Sequence, residues 1–569
     1  MKYALSIFLS YGVAAAIVLL AGGTARPAPV PEVWSGPPRF DAPSAYRYAA
    51  GLAEGFPYRP TGSTGAEQAA HWLVEQFAAL GLQTGVQEEA VVLEGRRVLL
   101  RNVYAVSPGT TPGTIVIVAN HDMAPTSYQA ASDTAGGVGV LLELARIFAR
   151  EPHQRELVFL APDGEEWGLL GARAFARDPP PELGHLAAAL VVEDLAPGQL
   201  RRVIPTMNGQ FRGFTPLWLR ELARRATLAE GLPFADPPPA LEYADRAVLI
   251  AATDQGPFLA KYIPTIELTT TGDNPALQAR IYHAPEDVMG NMRVEAFHTF
   301  GRIAERMIRT LDAGPIPLPT TRGDFVRLSD GRIVAGFFLM LAQWMIFLPL
   351  LVAIAFDLRR VPLRWALLEF AGRFVILAAT YGSVLLLPSL GLLPASELYP
   401  PPPRHPVLYR PDWVPFLVPL AIIVILSILL GRFRPRTVPD PEARRAGALA
   451  TLGVLAWVSF YGNAFAATIF LALPAWLWIW IAPGGTARKI LNIVLLLAGW
   501  AVVAVLIQVQ TQILQGANLP WYFLMGTAYG QFRPEQWLPT LALLALWTQL
   551  VQVGLGGRIA SDRPELSSR

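Results

Sequence analysis

The sequence predicts two fold classes in one chain: an α/β domain on a mainly parallel mixed sheet flanked by helices, then an all-α polytopic transmembrane domain. Three observations carry this. Apolar runs of strand length alternate with helical patterns between residues 98 and 309, the pattern of a sheet covered on both faces. Apolar stretches long enough to span a bilayer recur after Arg332. Charged residues are only 16% of 569 and the mean hydropathy is +0.36, less charge than a wholly soluble protein carries. A chain of this length exceeds one ordinary core. The expected domains are an N-terminal transmembrane anchor or signal over 1–25, a globular domain over 26–332, and a helical transmembrane domain of about seven spans over 333–569.

The net charge of +2 gives no basic surface for nucleic acid, so none is expected as a partner. There is no cysteine, which excludes disulfides, thiol nucleophiles and thiolate metal sites. Any metal must be held by histidines and carboxylates.

In chain order, Lys2 precedes an apolar run over 3–23, longer than the core of a cleaved signal. It reads as an uncleaved anchor, with GGTARPA as an alternative cleavage region; either exports the globular domain. RPAPVPEVWSGPP is a Pro-rich linker. Residues 66–82 place Ala69, Trp72, Leu73, Phe77 and Leu80 at helical spacing and stop at Gly81. Strands are expected at 98–106, 115–119, 157–161, 187–192 and 264–269. Spans are expected at 333–356, 374–393, 413–430, 446–459, 464–481, 490–509 and 537–554. Every second loop is basic: Arg359, Arg360 and Arg364; Arg432, Arg434, Arg436, Arg444 and Arg445; Arg488 and Lys489; Arg558 and Arg563. Basic loops stay in the cytoplasm. The protein is therefore expected to be multi-pass in the cell (inner) membrane, its globular domain on the extracytoplasmic, periplasmic side and the lipid bilayer as a partner. Glu369 and Arg373 read as snorkelling at a span end.

The strand over 115–119 delivers His121, and Asp133 comes next at the mouth of an apolar helix. The strand over 157–161 leads to Glu165 and Glu166 in GEEW. Asp194 in VVEDLAPG and His283 in YHAPEDVMGN complete five ligand-competent side chains. Carboxyl ends of strands are where ligands collect in open α/β sheets, and imidazole with carboxylate suits zinc. If Asp133 bridges, two ions receive three protein ligands each. Glu165, whose side chain diverges from that of Glu166, is better placed as a general base.

These residues resemble the co-catalytic zinc exopeptidases of metallopeptidase family 28, which include bacterial leucyl aminopeptidases. The resemblance covers roughly 60–309 and rests on RPTGSTGAEQAAHWLVEQFAALGL, the strand ending in His121, the twelve-residue step to Asp133, GEEWGLLGARAF, VVEDLAPG, ATDQGPF with IPTIELT, and YHAPEDVMGNM. It implies the zinc exopeptidase fold and two zinc ions per chain, one on His121, Asp133 and Asp194 and another on Asp133, Glu166 and His283. It also implies Glu165 as base, Tyr282 as an aid to the tetrahedral intermediate, and peptide as substrate. The exopeptidase-before-spans layout also looks like that of endoplasmic-reticulum metallopeptidases. The expected activity is aminopeptidase hydrolysis outside the cytoplasm.

Two departures stand out. The family's first ligand is usually His-x-Asp, whereas this chain has His121-Asp122-Met123, and Thr134 follows Asp133 where an acid or Asn is common. One alternative is a glutaminyl cyclase-like enzyme using one zinc on Asp, Glu and His; another is a peptide-binding or transport-associated module. Asp254 reads equally as substrate-binding or as a turn acid. His71, His153, His185, His298 and His405 read as structural, and Gly136, Gly137 and Gly139 as glycines that let a helix approach the metal site.

Overall fold

The computed structural model describes residues 2–22, 30–317, 326–329, 332–394, 404–431, 438–514 and 516–556. The chain divides into two compact units. One comprises Met1–Gly23, Phe337–Leu393 and Asp412–Arg569; the other comprises Thr24–Gly336 together with Pro394–Pro411. The segment 394–411, expected within the membrane domain, joins the globular unit instead.

After α1 (Lys2–Ala21), the globular unit runs α2 (Ala42–Gly55), α3 (Thr64–Ala79), β1 (Gln83–Leu93), β2 (Arg96–Ser107), β3 (Thr111–Val118), α4 (Gly136–Phe148), β4 (Arg155–Ala161), α5 (Leu170–Arg177), β5 (Leu186–Val192), β6 (Leu200–Thr206), α6 (Leu217–Ala229), α7 (Pro239–Val248), α8 (Gln255–Ala260), β7 (Thr265–Gly272), α9 (Pro275–Ile281) and α10 (Val294–Ala313), closing with the hairpin β8 (Val326–Ser329) and β9 (Arg332–Val334). Helix α3 starts where Ser63 caps it by accepting from the Ala66 N–H, and the chain turns at Gly81 with φ +80°, a conformation cheap only for glycine.

Strand order in the sheet is β1-β2-β4-β3-β5-β7-β6. The central β4, β3, β5 and β7 run parallel, while β1, β2 and β6 add antiparallel edges. Strands covered on both faces read as continuous apolar runs, which is why the central four were expected. The edges β1 (QTGVQEEAVVL) and β6 (LRRVIPT) carry charge and lean on one face only, so they left no such run. Ile115, Ile117, Leu157, Phe159 and Leu190 pack one face, with α2, α4 and α10. Val116, Val118, Val158, Leu160 and Val191 pack the other, with Phe175 and Phe258. Each such side chain contributes about 1.5–3 kcal/mol by leaving water, and together they fix β3, β4 and β5 as a rigid edge for the site.

The other unit holds α1 with α11 (Gly336–Ile346), α12 (Leu348–Asp357), α13 (Leu363–Leu385), α14 (Leu417–Gly431), α15 (Pro441–Gly462), α16 (Ala464–Leu477), α17 (Thr486–Ala498), α18 (Ala501–Ile513), α19 (Leu519–Ala528) and α20 (Pro534–Leu555). Every expected span overlaps one or two of these helices. Among the described residues, three helices are long and apolar enough to cross a membrane (Ala4–Ala21, Leu363–Leu385 and Pro534–Leu555), and two pairs bent by 45° raise this to five. Helix α13 starts at Leu363, well before the expected span at 374, because it includes Glu369 and Arg373. Those two do not simply snorkel: Arg373 donates to Glu369 at 3.0 Å and to Thr548 of α20 at 2.9 Å. GGTARPA and the arginines 432, 434, 436, 558 and 563 lie outside the described residues, apart from Gly22.

Arg445 of α15 ties three helical segments together. It donates to Asp357 at 2.8 Å and to the carbonyls of Ile481 and Ile479 at 2.6 and 2.5 Å. Its side chain is 8% exposed. Deleting one partner of a buried ion pair typically costs about 3–5 kcal/mol. Arg445→Leu is therefore expected to lower the thermal midpoint of the detergent-solubilised chain clearly, whereas exposed Arg359→Leu is not; equal midpoints would remove Arg445 as a pin.

Candidate metal centre

The carboxyl ends of β3, β4 and β5 bring the chemistry together. Three ligand-capable side chains converge: Asp133, Glu166 and His283, whose donor atoms lie within 4.8 Å of one another. His283 Nε2 is 3.2 Å from Asp133 Oδ2 and 3.2 Å from Glu166 Oε2. They come from three loops, those after β3, β4 and α9. His283 sits at φ +51° and Asp194 at φ +49°, left-handed backbone that a non-glycine residue holds only when its surroundings impose it.

Asp287 and Asp122 hold the neighbouring loops that present Asp133 and Glu166. Asp287 accepts from the N–H groups of Ser132 and Asp133 at 2.8 and 3.1 Å, fixing the chain that presents Asp133. Asp122 accepts from Asn120 and Thr61 side chains and from the N–H groups of Glu165 and Glu166 at 3.2 and 3.4 Å. It therefore carries the GEEW loop. Arg59, fully buried, donates to the carbonyls of His121, Gln129 and Ala130 at 2.8, 2.7 and 3.2 Å. Burial pulls its pKa down to about 10, with Asp122, Asp287 and Asp133 opposing.

The five expected ligands do not all meet. Asp194 stands near the convergent three, since Asp133 is the charge that acts on it most strongly. His121 is in no three-ligand group among the described residues. Alternation along an extended chain puts Asn120 and Asp122 on one side and His121 on the other. The His121 ring Nδ1 lies 3.2 Å from the Ala161 carbonyl, and its backbone N–H donates to the Pro162 carbonyl. Burial first, then Arg59, lowers its pKa to about 4. His121 is thus neutral, with a buried Nε2 that has no hydrogen-bond partner.

The electrostatics fit a divalent cation. Burial, then Asp133, drives Glu166 up to about 8, with His283 opposing. Glu165 is held well above the usual carboxylate range by burial, then by Glu166, and Asp194 likewise by burial, then Asp133. Such a gathering of acids resists ionisation unless positive charge compensates it. Glu166 Oε1 is buried without a hydrogen-bond partner, so its lone pairs are available to a metal. One imidazole nitrogen and two carboxylates make a zinc donor set that leaves an open position.

Tyr282 stacks on His283, with ring centroids 3.9 Å apart and planes at 21°. Desolvation of its hydroxyl and the surrounding acids raise its pKa above the ordinary tyrosine value although the residue is 39% exposed, so its hydroxyl remains a donor. Asp254 is not a surface turn acid: it is fully buried beside Glu193 and Glu267. Sequence patterns alone did not mark Asp287, Glu193 and Glu267, nor Asp122 and Arg59 as holders of the loops; YHAPEDVMGN and the uncommon acids in VVED and IELT were the available signals. The glycines of α4 stand where its neighbours come close, Gly136 beside Leu195 and Gly137 beside the carboxyl end of β5. A Cβ on Gly137 would lie 2.3 Å from the Val192 carbonyl oxygen and one on Gly139 2.4 Å from that of Ala45, so they let α4 approach β5 and α2.

The globular unit is thus an α/β domain on a parallel-centred sheet that gathers acids and an imidazole at its strand ends. Residues 102–308 match the model of Peptidase family M28. The chain is 30% identical over 143 residues to the alkaline phosphatase isozyme conversion protein of Escherichia coli K12, covering 21% of this chain and 41% of that protein. It is 51% identical over 57 residues to a probable zinc metalloprotease of Pyrenophora tritici-repentis, 9% of this chain and 13% of that one. The chain thus spans less than half the length of these relatives. Among solved structures, a leucine aminopeptidase precursor from Bacteroides thetaiotaomicron aligns with a TM-score of 0.40 at 18% identity, covering 49% of this chain and 99% of that one. A glutaminyl cyclase from Porphyromonas gingivalis aligns with a TM-score of 0.40 at 18% identity, covering 47% of this chain and 98% of that one. The globular domain is thus similar over residues 102–308 to Peptidase family M28 and, over a short stretch, to a protein named a probable zinc metalloprotease.

Proposed function

We propose that the protein is a membrane-anchored zinc exopeptidase that removes residues from the amino end of peptides on the extracytoplasmic side. The observation that carries this reading is the convergence of Asp133, Glu166 and His283 beside Glu165. A zinc ion held by those three residues supplies Lewis acidity toward a carbonyl and acidifies water. Glu165, with its backbone fixed by Asp122, takes the proton from water and passes it to the leaving amine. Tyr282, kept protonated, donates to the oxygen of the tetrahedral intermediate. Orientation rests on the alternating basic loops, and residues 404–411, which share a unit with the globular domain, agree with the two lying on one side of the membrane.

The second ion of the two-zinc reading would need His121, Asp133 and Asp194. The Nδ1 contact of His121 with the Ala161 carbonyl leaves its buried Nε2 available to coordinate. Among the described residues, however, only Asp133, Glu166 and His283 bring their donor atoms within 4.8 Å of one another, and the reading we propose is one ion. That single three-donor set also favours a second reading, one-zinc cyclisation of amino-terminal glutamine. The full-length chain in detergent should hydrolyse aminoacyl anilides, lose that activity to a chelator and regain it with zinc. Release of ammonia from glutaminyl peptides without anilide hydrolysis would select the cyclase reading. His121→Ala should leave the zinc content of the chain unchanged; loss of one ion per chain in metal analysis would restore the two-zinc site.

A further inference from the structure

Residues 404–409, between α13 and α14 in the chain, belong to the globular unit and pack there against two segments that bear the site. Arg404 donates to the carbonyls of Arg280 and Ala279 at 2.9 and 2.7 Å. These belong to the last turn of α9, whose final carbonyls have no partner within the helix. Two residues beyond Arg280 come Tyr282 and then the strained His283. A cation there also suits the negative end of the helix. Next to it, His405 meets the Trp167 ring edge-on, with centroids 6.3 Å apart at 65°, and its Nε2 lies 3.9 Å from Glu94. Trp167 directly follows Glu165 and Glu166. A short 3-10 turn, Pro406–Tyr409, comes next and buries Leu408 completely, so the segment is seated.

We infer that Arg404 is a positioning residue for the metal centre: by clamping the end of α9 it holds His283 in its left-handed conformation, while His405 braces the Glu165–Glu166 loop through Trp167. The catalytic body is therefore discontinuous in sequence, its last part supplied from between two apolar helices. The inference rests on the reading that His283 is a zinc ligand. Residues that hold ligands from outside the coordination sphere typically matter by about 10 to 100-fold in metal affinity, and Arg404 acts through the backbone, so the low end applies.

The test uses the full-length chain in detergent, with zinc affinity measured by chelator competition alongside the melting temperature of the zinc-free protein. Arg404→Ala should weaken zinc about 10-fold without moving the zinc-free midpoint, and Arg404→Lys, which keeps one donor and the charge, should recover part of the loss. Equal affinity in the parent and Arg404→Ala overturns the inference while leaving the zinc reading intact. A parent that binds no zinc overturns the zinc reading itself. Where Arg404→Ala yields no folded protein, Arg404→Gln decides on the same affinity readout, and failure of both to fold makes the segment a structural strut and ends the positioning role.

Discussion

Glu165→Gln should lower the rate of peptide hydrolysis by about 10²- to 10⁴-fold, the usual contribution of a positioned general base, while the chain still binds zinc. The two halves of that result come from different features. Glu165 is not in the Asp133, Glu166 and His283 group, so an amide there leaves the donor atoms in place. The loop also keeps its conformation, because Asp122 holds the backbone N–H groups of Glu165 and Glu166 and the Gly168 and Leu169 N–H groups return to the Glu165 carbonyl at 3.0 and 2.9 Å. What the substitution removes is the ability to accept a proton. An acid held high by burial and by Glu166 becomes a usable base near neutral pH once a nearby cation lowers it again. The rate constant kcat should therefore fall with little change in KM, the signature of an interaction made only in the transition state. A variant that retains more than about a tenth of the parental kcat with zinc bound, well above the range a general base accounts for, would remove Glu165 from the chemistry.

The central sheet and the apolar helices were readable because a strand buried on both faces, or a helix that is apolar all round, leaves a long unbroken run: AALVV in β5 and VILAAT in α13 are of this kind. The site was partly readable for a different reason. Glu166 and His283 sit just past a strand or helix end and Asp133 just ahead of α4, and order along the chain was enough to collect them. His121 shows where such reading stops. One residue of register decides which side chain faces which way, and the run AlaAsnHisAsp does not disclose that Asp122 is the residue that holds the GEEW loop; its hydrogen bonds to the Glu165 and Glu166 N–H groups do. The 404–411 segment was unreadable for a topological reason. Its contacts with Ala279, Arg280 and Trp167 join positions far apart in the chain, 124 residues in the case of Arg280, and nothing local in PRHPVLYR marks it as part of a catalytic body.

His283→Ala should abolish both zinc binding and activity, and the two losses should come together. His283 is the only nitrogen donor in the convergent group, and its Nε2 lies between the two carboxylates at 3.2 Å from each. Removing it leaves two mutually repelling acids and no imidazole. If losing an outer partner of a ligand costs about 10 to 100-fold in affinity, losing the ligand itself should exceed about 100-fold. A ligand that binds only the folded state at about 100 times its dissociation constant stabilises it by about 2.7 kcal/mol. Zinc should accordingly raise the melting temperature of the parent and leave His283→Ala unmoved. The same comparison separates His283 from His121, because His121→Ala should keep the full zinc-induced rise. If His283→Ala still shows that rise and His121→Ala does not, the ion sits on the other side of Asp133, with His121 and Asp194, and Glu166 no longer belongs among the ligands.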